Sequence, residues 1–207
     1  MAEEPQKPAS PSGAWNKSSF QALLQDADAF VHCVELVTSR GLITERSGRR
    51  VLKVARQLVE HPDIHALSIT DNPGGNPMIN ADTMGTDLIS RGQEVIIHLS
   101  CKDWNRNALQ GRAWQLSSDG FRNILALSGD CPVGGYHGQA SGVFDIDSVG
   151  LLQMLREMND GGPVVSGKPP AQSTGLFLGA VVTNHKKLEN EVMPQYFKLA
   201  KKVRAGA

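Results

Sequence analysis

Two carboxylates stand where chemistry is expected. Asp130 follows the apolar run Asn123-Ile124-Leu125-Ala126-Leu127, which stops at Ser128-Gly129-Asp130 and then meets Cys131-Pro132. The run has the length of a buried strand, and Ser, Gly and Asp end it with turn chemistry. A carboxylate just beyond the C-terminal end of a buried parallel strand lies where α/β folds place their ligands. The competing reading is that Asp130 only caps a turn or the next helix. Glu35 lies inside the apolar stretch from Val31 to Val37. Burying a carboxylate there is costly unless it is paired or protonated, and desolvation favours the protonated form that a general acid needs. A structural ion pair with Arg40 is the alternative.

These residues belong to a repeated pattern. Near-continuous apolar strands are read at Ala29 to Val37, His65 to Thr70, Glu94 to Ser100, Arg122 to Leu127 and Leu176 to Thr183. Amphipathic helices follow them: one opened by Ser47, one around Met84 to Ser90, one capped by Asp103 and reaching Ser118, one capped by Asp147 over Ser148 to Met158, and a last one from Glu189 to Val203. Five βα units of this kind predict an α/β fold with a parallel sheet covered by helices. A doubly wound sheet and a (β/α)8 TIM-type barrel both fit. Neither GxGxxG in the first turn nor GxxxxGK[ST] anywhere is present, which lowers the weight of folds that rely on those loops. A complete barrel needs about 250 residues, so only its first five units are present if this is one.

Parallel strands bring their C-terminal ends to one rim. The polar residues there are Glu35, Thr70 with Asp71, His98 with Ser100, Asp130, and Asn184 with His185. Such a rim is a candidate active site. His98 alone reads equally as a hydrogen-bonded core residue or as a ligand contact.

Composition removes several function classes. The chain has 207 residues, with 21 basic and 21 acidic side chains and a formal net charge of zero. Nothing electrostatic points to nucleic acid, and no apolar run is long enough to span a bilayer. The N-terminus lacks a signal-peptide pattern, which makes the cytoplasm the expected compartment. Cys33, Cys101 and Cys131 form neither a disulfide framework nor a CxxC pattern and are expected as buried thiols. The six histidines show no metal-ligand spacing, so no structural metal is expected. Trp104 and Trp114 read as packing residues. Residues 1–17 are rich in Pro, Ser, Glu and Lys and read as a disordered tail ahead of a single domain, 18–207.

At this point a family resemblance becomes legible. Val34-Glu35-Leu36-Val37-Thr38-Ser39-Arg40 resembles the first-strand motif of methylenetetrahydrofolate reductases, a Glu followed by Pro-Pro-Arg. Leu67-Ser68-Ile69-Thr70 resembles the second strand. Ile97-His98-Leu99-Ser100-Cys101 is similar to His-Leu-Thr-Cys, and Leu125 to Pro132 to Ala-Leu-Arg-Gly-Asp-x-Pro. Leu178-Gly179-Ala180-Val181-Val182 looks like the fifth strand, and Lys201-Lys202-Val203-Arg204-Ala205-Gly206-Ala207 matches Lys-x-Val-x-Ala-Gly-Ala. The resemblance covers residues 30–207 and implies the first five units of a flavin-dependent TIM barrel.

It further implies that Glu35 is the general acid that protonates the folate nitrogen, and that Asp130 holds the pterin ring. Thr70, His98, Ser128, Gly129 and Asp130 would line the flavin site, with Lys201 and Lys202 near its phosphates. The cofactor would be FAD or FMN, reduced by NAD(P)H or another donor, and the substrate a methylene folate. A folate- or flavin-binding half-barrel without turnover, or a related flavin or pterin enzyme, are the alternatives. The departures are specific. Thr38 and Ser39 replace the two prolines, Ser128 replaces the Arg before Gly-Asp, and Thr183-Asn184-His185 replaces Tyr-Pro-Glu. Strands six to eight are absent. An unclosed parallel edge predicts a homo-oligomer or a complex with a chain that supplies the missing strands.

Overall fold

The structure is a computed structural model that describes residues 19–161 and 172–207. The tail read at 1–17 lies outside the described residues, as does most of the connection read at 160–174. Five strands form one sheet: β1 (Cys33–Leu36), β2 (Ala66–Ile69), β3 (Glu94–Ser100), β4 (Asn123–Leu127) and β5 (Phe177–Ala180). All neighbours are parallel and the order is β1-β2-β3-β4-β5. This sequential order decides between the two architectures. A doubly wound sheet reverses its strand order at a switch point, whereas a barrel adds each strand on the same side of the last. The sheet is the first part of a TIM-type barrel.

The helices are α1 (Phe20–Gln25), α2 (Arg46–Val59), α3 (Ala81–Ile89), α4 (Arg106–Ser118), α5 (Ser148–Asn159) and α6 (Glu189–Arg204). The short α1 has no counterpart in the sequence reading. It is six residues long, too short for an apolar period to register. Phe20 anchors it, meeting Phe177 edge-on with ring centroids 6.3 Å apart. The cap of α5 is as read: Asp147 accepts from the Val149 and Gly150 amides at 3.1 and 2.9 Å. The cap of α4 is not. Asn105, not Asp103, accepts the Ala108 amide at 3.0 Å, because the carboxylate of Asp103 is committed elsewhere.

Strand register sorts the side chains into two sets. Leu36, Ile69, Ile97, Ile124 and Leu178 are aligned neighbours and all are buried. With Leu67, Val95 and Leu99 they form a core with Met84, Leu88, Leu109, Leu116, Leu151 and Leu155 of the covering helices. The alternate row is Glu35, Ser68, Ile96, Asn123 and Phe177, which faces the concave side. Of the cysteines, Cys101 is buried, and burial pushes its thiol up to about 12. Cys33 and Cys131 are exposed, against expectation, because one sits on the concave row and the other on a loop. Trp104 packs against the core, but Trp114 is largely exposed on α4. No helix among the described residues is long and apolar enough to cross a membrane.

Candidate active site

Every strand delivers its C-terminal end to one rim, and the loops that leave those ends are tied together there. The Ile79 amide donates to the Ser39 carbonyl at 2.9 Å, and Arg40 donates to Asn76 at 2.6 Å. The Val133 amide donates to the Gly75 carbonyl at 3.0 Å, and Gly75, at φ +70°, lies so close to the Cys131 carbonyl that a Cβ would sit 2.2 Å from it. The Val143 amide donates to the Lys102 carbonyl at 2.7 Å. Asp71, at the end of β2, accepts from the Ser100 amide and hydroxyl at 3.0 and 2.7 Å, locking two strand ends together.

Inside this rim is a cleft of about 470 Å³. Glu35, Thr70, His98, Ser128, Gly129, Asp130 and Lys202 all line it. Lys201 does not. It lines a separate depression between α5 and α6, because consecutive helical residues point about 100° apart. Lys198, one turn before Lys202, lines both that depression and the cleft. Asn184 and His185 are exposed outside the cleft; Thr183 is the part of that strand exit that lines it.

The individual environments differ from what the sequence suggested. Glu35 is exposed on the concave face, and among the described residues it has no hydrogen-bond or ion-pair partner. It is neither desolvated nor paired with Arg40, whose guanidinium is taken by Asn76. His98 is buried, with Nε2 2.6 Å from the Ser68 hydroxyl. Burial holds its imidazole below the usual histidine range, and the charges of Glu35 and Asp71 pull the other way. Thr70 is buried, its hydroxyl donating to the Leu36 carbonyl at 3.4 Å. Asp130 is exposed and accepts the Gly74 amide at 3.2 Å. The Ser128 hydroxyl accepts the Ser148 amide at 3.2 Å, joining β4 to the start of α5.

Lys202 is buried, and its ammonium donates to the Val181 carbonyl at 2.5 Å. Desolvation lowers its pKa, Lys198 lowers it further, and Asp147 opposes both. Thr38 and Ser39 are buried, and their hydroxyls have no hydrogen-bond partner among the described residues. Among the described residues no group of three or more His, Cys, Asp and Glu is arranged to hold a metal.

Among the lining residues that escaped the sequence reading of the site are Lys102, Asn72, Gln195 and Lys198. Three of these carried a signal. Gln195, Lys198 and Lys202 share a helical face by their spacing of three and four. Lys102 continues the period-two row of His98 and Ser100 past the end of β3.

A singly wound parallel sheet with polar strand ends gathered around one rim cleft is the architecture of a barrel of the (β/α)8 class, with its site where that class places it. The family model described as methylenetetrahydrofolate reductase matches residues 24–207, and the chain belongs to that family. Among solved structures it is similar to an uncharacterized protein from Clostridium thermocellum that binds two copies of 5-methyl-5,6,7,8-tetrahydrofolic acid. The TM-score is 0.52 at 13% identity, over 90% of this chain and 54% of that one. At that identity the likeness is one of fold, and the chain spans about half of that protein's length. No curated protein matches the chain.

Proposed function

We propose that residues 18–207 are the N-terminal part of a barrel that binds a reduced folate in the rim cleft and takes part in reducing 5,10-methylenetetrahydrofolate to 5-methyltetrahydrofolate. One observation carries this reading: Glu35, His98 and Asp130, from three different strands, converge on one cleft in a chain of this family.

The chemistry needs a proton, a hydride and an oriented pterin. Glu35 gives the proton to the folate nitrogen as the bond from that nitrogen to the methylene carbon breaks. Asp130 accepts hydrogen bonds from the pterin ring, and its exposed carboxylate is available for them. His98, whose burial disfavours the charged imidazolium, offers a hydrogen bond at the cleft. A flavin held there, FAD or FMN reduced by NAD(P)H or another donor, would supply the hydride for the methylene carbon. The cleft fits an anionic cofactor at its α6 side. Lys198 and Lys202 face it there, and Lys202 has only a carbonyl as partner among the described residues.

The test is calorimetric titration of the chain with 5-methyltetrahydrofolate, together with its visible absorption spectrum. Binding that weakens but stays measurable in Asp130→Ala, with a flavin band that bleaches on adding NADH or NADPH, supports the reading. No binding and no band overturns it. A second reading, a folate-binding module without turnover, is favoured by the exposure of Glu35, which is not desolvated as a buried acid would be. Binding without turnover would decide for it.

A further inference from the structure

Lys102 is among the largest fully buried side chains, with 2% of its surface exposed, and it lines the same cleft. Its aliphatic stem lies directly beneath Gly129. A Cβ on Gly129 would sit 2.8 Å from Lys102 Cδ, 3.0 Å from Cγ and 3.1 Å from Cβ, so any larger residue would collide with the stem along its length. The ammonium donates to Asp103 at 2.5 Å. The same Asp103 oxygen accepts the side-chain amide of Asn72 at 2.9 Å. Asn72 has a left-handed backbone, φ 44°, and its side-chain Oδ1 accepts the Met78 amide at 2.8 Å. The loop thus held between Asn72 and Met78 carries Gly74, whose amide donates to Asp130.

Both routes end at one group. From below, the Lys102 stem sets the backbone at Gly129, one residue before Asp130. From the side, the Lys102–Asp103–Asn72 chain sets the loop that donates to the Asp130 carboxylate. We propose that Lys102 is a positioning residue for Asp130: it acts on the ligand only by fixing where that exposed carboxylate points. This rests on the proposed folate site but makes a claim of its own about the rim. A buried ammonium on an apolar stem suits the role, since it packs like a hydrophobic side chain and yet is tied to one carboxylate by a directional bond. Removing the charge leaves Asp103 without its cation and loosens Asn72, while the stem can be kept.

The experiment is a double-mutant cycle with Lys102→Met, which keeps the stem, and Asp130→Ala, read as the Kd for 5-methyltetrahydrofolate. Amide hydrogen exchange at Gly74 and Met78 is read in parallel. Lys102→Met is expected to weaken binding about tenfold with Asp130 present and less than about twofold with Asp130→Ala, a coupling of the size seen for residues in one network. It is also expected to lose protection at Gly74 and Met78 but not along β3. Equal weakening in both backgrounds, or unchanged protection at Gly74, overturns the proposal. If the unsubstituted chain binds no folate, the folate reading fails by itself and the exchange arm still decides this one. Should Lys102→Met fail to fold, Asp103→Asn breaks the same pair from the other side and is read in the same way.

Discussion

The two faces of the sheet are built from alternate residues of the same strands, yet they do different work. The helix-facing row of Leu36, Ile69, Ile97, Ile124 and Leu178 is apolar and closed. The concave row of Glu35, Ser68, Ile96, Asn123 and Phe177 mixes charge, hydroxyl, amide and ring, and is partly open. One face excludes water and supplies the stability; the other keeps polar groups within reach of solvent and ligand. What this teaches is that the period of two lets one strand hold a fold and a site at once, since a substitution on one face leaves the other face's neighbours in place.

Residues on opposite faces of β1 and β2 give the sharpest way to test that division. Leu67, fully buried on the helix side, should cost about 2–5 kcal/mol when replaced by Ala. Denaturant unfolding measures it, and a cost near zero would break the comparison. Glu35, on the other face, should behave in reverse. Glu35→Gln is expected to melt at the same temperature, because the carboxylate has no partner to lose, while turnover of methylenetetrahydrofolate falls at least about 100-fold. A drop in melting temperature with turnover unchanged would invert the roles of the faces.

Ser68→Ala is a smaller case. It removes a 2.6 Å hydrogen bond to His98 and should cost about 1 kcal/mol, less than its neighbour Leu67, again by denaturant unfolding. The smallest expected effect is in pH. Burial lowers the pKa of His98 from its ordinary value of 6.5, so between the two values the unfolded chain binds more protons than the folded one. Stability should therefore rise with pH through that window, be complete above 6.5, and lose this slope in His98→Gln; an unchanged slope would mean that the imidazole titrates normally.

The comparison also explains what could be read in advance. The five βα units, the Asp147 cap and the gathering of Glu35, Thr70, His98 and Asp130 on one rim follow from local pattern and from the geometry of parallel strands. Three details did not follow. Asp103 has the spacing of a cap but pairs with Lys102, because a buried ammonium two strand positions beyond Ser100 needs a carboxylate more than the helix end does, and Asn105 can serve that end. The family resemblance places Lys201 with Lys202 near the flavin phosphates, whereas a helix groups residues three and four apart. Glu35 looked buried because its sequence neighbours are apolar, but those neighbours face the helices and it faces the concave side.

The sequence by itself determined the periodicities, and with them the strands, the helices, the parallel sheet and the family motifs. Those are properties of residues close together in the chain, where a few kilocalories of burial per apolar face leave a regular trace. Only the tertiary structure decided the strand order, the exposure of Glu35, the convergence of the loops on Asp130 and the burial of Lys102. Each depends on groups tens of residues apart meeting in space, and whether a charge is paired, solvated or enclosed is set by those meetings and not by its neighbours in sequence.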